Sequence, residues 1–127
     1  MGKQGYNHGD IGWMQLSTSA PSSTIQFYSD LVGWSNNGEP MPGYHVFGKG
    51  EENLGGITAL EDGQPGPAWV PFITVDDLDA AVAKAEELGG SIIQPITPIP
   101  QAGRIAVIGD PQGGATGLAQ YGDGSSE

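Results

Sequence analysis

The chain has 127 residues, with 15 acidic and 4 basic side chains for a net charge of −11, and it carries 22 Gly, 10 Pro and no Cys. The cations Lys3, Lys49, Lys84 and Arg104 do not cluster, so nothing is available to neutralise a phosphate backbone or an anionic membrane, and nucleic-acid binding is excluded. Without Cys there is no disulfide framework or thiol nucleophile, and with no basic leader and no apolar run near the roughly 18 residues of a membrane span the expectation is a soluble, cytoplasmic, single-domain protein over 1–127.

Residues 1–9 are polar and Gly-rich and read as a loose tail. Residues 10–18 alternate as a half-buried strand does. Pro21 suits the first turn of a helix, Ile25, Tyr28, Leu31 and Val32 share one helical face, and Gly33 ends it. Residues 44–48 and 54–60 read as strands, and DGQPGP at 62–67 as the linker. A strand follows over 68–75. Asp76, Asp77 and Asp79 crowd the start of a second helix, where carboxylates cap free N–H groups. Leu78, Ala81, Val82, Ala85 and Leu88 recur at helical spacing before Gly89 and Gly90 stop it. Residues 91–97 and 104–109 are apolar strands around PIPQAG, Asp110-Pro111-Gln112-Gly113 is a turn, 115–121 is the last strand, and 122–127 read as frayed.

The second half repeats the first. Trp13 falls over Trp69, Leu16 over Phe72, Thr18 over Thr74 and Gly33 over Gly89, an offset of 56 or 57 residues that signals one supersecondary unit used twice. The fold class is α+β, two βαβββ modules at about 10–62 and 66–122, with eight strands and two helices enclosing a shared cleft. Other chemistries lack their residues. There is no G-x-S-x-G elbow and no Cys–His pair. GKG at 48–50 lacks the hydroxyl of a phosphate loop, and GGATG at 113–117 opens a strand instead of a helix.

FYSDLVGW at 27–34, Gly55-Gly56-Ile57, VDDLDAAVAKAEELGG at 75–90 and GRIAVIGDPQGG at 103–114, in this order, resemble the vicinal oxygen chelate superfamily of glyoxalase I, bleomycin-binding proteins, fosfomycin resistance proteins and extradiol dioxygenases. The resemblance implies an eight-stranded incomplete barrel. Metal-dependent members place one ligand near the start of each module's first strand and a Glu in each last strand. Here those positions fall on Trp13, on Trp69 or Val70, on Gly117, and around Ile57 or Thr58. None is His or Glu, so the expectation is no metal and no cofactor. Members often carry an Asp cap where Ala20 stands, which removes about 1 kcal/mol of capping unless Ser19, Ser22 or Ser23 compensates.

Within that scaffold the candidate ligand-binding residues are Trp13, Gln15, His45, Trp69, Val70, Phe72, Arg104 and Gly117. Trp13, Trp69 and Phe72 either pack the core or form an aromatic wall for a flat or cationic ligand. Gln15 shares the side of Trp13, and Val70 that of Phe72; Gln15 can orient a ligand but not act as a base. His45, between Tyr44 and Val46, is either an ordinary strand histidine or an acid/base group. Arg104 either pairs with a structural carboxylate or clamps a ligand anion. Gly117 leaves room where relatives hold Glu. His8 lies in the tail with no role. The function expected is metal-free binding of a small molecule of unknown identity. Two enzyme readings stay open: a metal-dependent lyase or dioxygenase, and a metal-free isomerase or lyase using His45. Exposed sheet edges, together with the resemblance, imply a homodimer.

Overall fold

Turn residues and apolar periodicity divide the chain into the expected elements. The computed structural model describes residues 7–60, 66–99 and 103–122; most of the 62–67 linker and of the turn after 98, and the end of the chain from 123, lie outside them. The strands and helices are β1 (Ile11–Thr18), α1 (Pro21–Val32), β2 (Ser35–Asn36), β3 (His45–Lys49), β4 (Glu52–Ala59), β5 (Ala68–Thr74), α2 (Leu78–Glu87), β6 (Ser91–Ile99), β7 (Gly103–Gly109) and β8 (Ala115–Tyr121). The order βαβββ therefore occurs twice, in an α+β fold. The two-residue β2 is the one element sequence periodicity does not reach.

Trp13–Val70 form one compact unit. The described residues up to Gly12 and from Pro71 onward form the other, so the division falls within β5. In the first unit the strand order is β2-β3-β4-β1, and in the second it is β5-β8-β7-β6. Each unit has one parallel pair, β1 with β4 and β5 with β8, and its other pairs are antiparallel.

In each unit one face of the strands packs on the helix. Leu16, Ile25, Phe47 and Ile57 form the core under α1, flanked by Met14, Tyr28, Trp34 and Leu54. Val75, Leu78, Ala106 and Leu118 form the equivalent core under α2. Leu31 and Val32 do not join the first core as their spacing predicts. They are exposed with Phe27. Leu88 likewise falls just beyond α2 and is exposed.

Both helices end on left-handed or loop glycines as expected, with Gly33 at φ 80° donating to the Ser29 carbonyl. Asp77 caps α2 by accepting from the Ala80 N–H at 3.1 Å. Ala20 leaves α1 without a side-chain cap, and none of the nearby serines supplies one. Pro21 at the first position removes one donor that would otherwise need a partner.

The stretch before β1 is not loose where it is described. Gly9 N–H donates to the Thr74 carbonyl at 2.8 Å and Thr74 N–H to the Asp10 carbonyl at 2.7 Å, so backbone pairing holds residues 7–10 against β5. Nor are the outer strands open edges. β2 has two residues, and β6 carries Pro95 and Pro98, which lack the N–H a further strand would need. No helix among the described residues is long and apolar enough to cross a membrane.

Candidate functional site

The site is built on the face of the first unit's sheet that points away from α1. Met41-Pro42-Gly43-Tyr44 is a tight turn in which Tyr44 N–H donates to the Met41 carbonyl at 3.0 Å. Pro at the second position sets φ, and Gly43 at φ 80° supplies the left-handed third position of a type II turn. The Glu39 carboxylate accepts from Gly43 N–H at 2.7 Å and steadies the turn. Its product is a fixed Tyr44 at the entrance to β3.

Register then determines what Tyr44 meets. Gln15 of β1 and Val46 of β3 both pair with Gly56 of β4. Registered residues share a face, and so do residues two apart, so Trp13, Gln15, Tyr44, Val46 and Gly56 lie on one side. The Tyr44 ring occupies the space that a side chain at Gly56 would fill. Trp13 Nε1 donates to the Tyr44 hydroxyl at 3.0 Å, and the Tyr44 hydroxyl donates to Gln15 Oε1 at 3.2 Å. Burial of the phenol pushes the Tyr44 pKa above its usual 10.0, and the Trp13 hydrogen bond only partly opposes this. At neutral pH Tyr44 is therefore a neutral relay between an indole and an amide. Sequence reasoning assigns Tyr44 no role, although Pro-Gly before it and Gly-Gly at 55–56 are the signals that mark its place.

The other face takes the remaining aromatics. Trp34 stacks on Phe47 at 4.4 Å, and Trp69 meets Tyr28, Trp34 and Phe47 edge-on at 6.0–6.3 Å. Trp69 thus belongs to the α1 side and does not join Trp13 in a wall. Val70 alternates with Trp69 and is half-buried. His45 pairs in register with Ile57 and alternates with Tyr44, so it sits on the α1 side, away from Trp13 and Gln15.

In the second unit Phe72 pairs in register with Gly117, and its ring fills the space a side chain at Gly117 would take. Gly117 therefore does not enlarge a cavity. It makes room for Phe72, which is 1% exposed. The matching pairs Gln15–Gly56 and Phe72–Gly117 also correct the counting: the first module's equivalent of Gly117 is Gly56, not Ile57 or Thr58.

Arg104 is engaged at the start of α2. Its Nη2 donates to Asp79 Oδ2 at 3.0 Å and to Gln120 Oε1 at 3.1 Å. The same Gln120 oxygen accepts from the buried Leu78 N–H at 2.8 Å. His8 has a structural contact here as well, since its Nδ1 accepts from Asp76 N–H at 3.1 Å.

A divalent metal does not fit the site's donor set. Such ions need several carboxylate, imidazole or carbonyl donors converging on one point. The positions where the resemblance expects ligands hold Trp13 and Gly56 in the first module and Trp69 or Val70 and Gly117 in the second, none with an oxygen or imidazole donor in its side chain. Beside Trp13, the Gln15 Oε1 already accepts from Tyr44. Among the described residues no three His, Asp or Glu side chains are grouped to hold an ion.

The profile of the Glyoxalase/Bleomycin resistance protein/Dioxygenase superfamily matches residues 10–116. A Mycobacterium tuberculosis protein named "Putative glyoxylase CFP32" is 36% identical over 122 residues, which are 91% of this chain and 47% of that protein. The anthracycline biosynthesis protein DnrV of Streptomyces peucetius is 30% identical over 91% of this chain and 43% of its own length. The chain thus spans less than half the length of these curated relatives. Among solved structures, a homoprotocatechuate 2,3-dioxygenase from B. fuscum superposes with a TM-score of 0.68 at 19% identity, over 91% of this chain and 34% of that one. A methylmalonyl-CoA epimerase from Mycobacterium tuberculosis gives 0.65 at 17% identity, over 96% and 93%. At such identities these structures are evidence of a shared fold alone.

Proposed function

The chain belongs to the Glyoxalase/Bleomycin resistance protein/Dioxygenase superfamily, and from that premise we propose that it binds a small organic molecule, without a metal ion, on the sheet face that carries Trp13, Gln15 and Tyr44. The observation that carries this reading is the Trp13–Tyr44–Gln15 relay over Gly56. It places an indole, a phenol and an amide side by side where a metal centre would need ionised or imidazole ligands. Apolar and aromatic side chains with a few oriented polar groups are the lining of a small-molecule site. Relatives named for glyoxylase activity and for anthracycline biosynthesis are compatible with a small organic ligand.

The two enzyme readings have less support. A metal-dependent lyase or dioxygenase lacks its donors. An acid/base role for His45 lacks geometry, because His45 lies across the sheet from Trp13 and Gln15. A screen of flat organic compounds read by tryptophan emission tests the proposal. A hit weakened by Trp13→Ala is expected, and a hit that survives in Trp13→Ala and Gln15→Ala but is lost in Trp69→Ala would move the site to the α1 side.

A homodimer is part of the same reading. The outer strands do not support it, since β2 is short and β6 is interrupted by proline. The support is on α1, where Phe27 and Leu31, neighbours at i,i+4, are 57% and 62% exposed; exposed apolar surface of this kind marks association sites. Sedimentation equilibrium should give a dimer that Leu31→Glu converts to monomer, and a monomer at micromolar concentration would refute it.

A further inference from the structure

We infer that the relay makes Gln15 an obligate hydrogen-bond donor toward the ligand, so that the site selects neutral flat compounds bearing a carbonyl oxygen. The inference rests on the site proposed above and follows from the direction of its hydrogen bonds.

An indole N–H donates and never accepts. Trp13 Nε1, 3.0 Å from the Tyr44 oxygen, therefore requires that oxygen to be the acceptor. The single phenolic proton is then free to point elsewhere, and the group within reach is the Gln15 side chain, at 3.2 Å. A hydroxyl donating to an amide must meet its oxygen. The structure sets the Gln15 oxygen toward Tyr44, and the Trp13 contact, which leaves the phenolic proton free for Gln15, supports that orientation. Gln15 Nε2 is left facing away from Tyr44 with two N–H bonds. No other described residue hydrogen-bonds to that amide, and Gln15 is only half-buried.

Two donors beside an indole and a phenol ring require an acceptor on the ligand. A ligand that offers only donors would face N–H against N–H, and a purely apolar one would strip water from the amide without replacing its hydrogen bonds. A carboxylate would satisfy the amide, but it must approach a chain of net charge −11, and like charge disfavours it. A neutral carbonyl on a flat apolar body meets both conditions. The ionisation behaviour of Tyr44 agrees with this arrangement, since burial keeps the phenol protonated and so keeps its proton on Gln15.

The experiment compares three matched naphthalenes by calorimetry at high ionic strength, which screens the net charge. Acetylnaphthalene offers a carbonyl acceptor, ethylnaphthalene offers no hydrogen bond, and naphthylmethylamine as its ammonium offers donors only. The native protein should prefer acetylnaphthalene to each of the others by about tenfold, the effect of one net hydrogen bond. Gln15→Leu should abolish that preference. Tyr44→Phe keeps the ring over Gly56 and frees the amide to turn, so it should reduce the preference for the carbonyl over the ammonium. Equal binding of all three compounds overturns the inference and leaves the site reading intact. Binding of none overturns the site reading and the inference with it. Nitrogen-labelled protein without ligand supplies an independent readout. Magnetisation transfer from the Tyr44 ring protons should be weak to the Gln15 amide protons, and strong transfer would place the nitrogen toward Tyr44 and overturn the inference.

Discussion

The ring of Tyr44 stands over Gly56, in the space that a side chain at that position would need. The same relationship recurs between Phe72 and Gly117 in the second unit, so each unit reserves one glycine for an aromatic ring. A methyl at Gly56 must displace the ring, and overpacking of this kind costs about 1–3 kcal/mol. Gly56→Ala is therefore expected to lower stability in urea by that amount and to break the Trp13–Tyr44 hydrogen bond, seen as a shift in indole emission. Gly55→Ala should cost more, because a Cβ there meets the Met14 backbone carbonyl, and a strand backbone yields less readily than a phenol ring.

Tyr44→Phe should cost about 1–3 kcal/mol at neutral pH, because it leaves the Trp13 N–H and the Gln15 oxygen without their partner. Its alkaline behaviour has a definite sign. Burial raises the folded-state pKa above the usual 10.0, so the unfolded chain loses the phenolic proton first. The stabilisation is complete below pH 10.0 and declines as pH rises through the folded-state value. Native protein should lose stability over this range more steeply than Tyr44→Phe in urea titrations at stepped pH, and parallel curves would refute the buried phenol.

The start of α2 should depend on Gln120 more than on Arg104. The Arg104–Asp79 pair spans side chains 29% and 69% exposed, and solvent screening limits such a pair to at most about 1 kcal/mol. Gln120 Oε1 also accepts from Leu78 N–H, and Leu78 is fully buried, so losing that acceptor strands a backbone donor. In thermal unfolding Gln120→Leu is expected to be the more destabilising change, and Arg104→Met the milder one.

Dialysis against zinc, manganese or iron followed by elemental analysis should leave no stoichiometric ion on the protein. The reason is that the expected ligand positions hold Trp13, Val70 or Trp69, and Gly117. One ion per chain, lost on His45→Ala, would overturn both this expectation and the placement of the site.

The sequence alone determined the elements, because helix and strand order depend on local chemistry: alternating apolar residues, Pro21 and Asp77 at helix starts, Gly33 and Gly89 at their ends. It also determined the repeat, and with it the family resemblance. Register was decided only in three dimensions. An offset of 56 sets Trp13 over Trp69, whereas the registers Gln15–Gly56 and Phe72–Gly117 make Phe72 the counterpart of Gln15 in the repeat, an offset of 57, and Val70 that of Trp13. In a strand one residue exchanges the two faces, which is why Trp69 belongs with Tyr28, Trp34 and Phe47 while Trp13 reaches Tyr44. The relay itself joins residues 29 and 31 positions apart. No local pattern encodes such a contact, because it exists only once the Pro42–Gly43 turn and the parallel pairing of β1 with β4 have brought a phenol over a glycine.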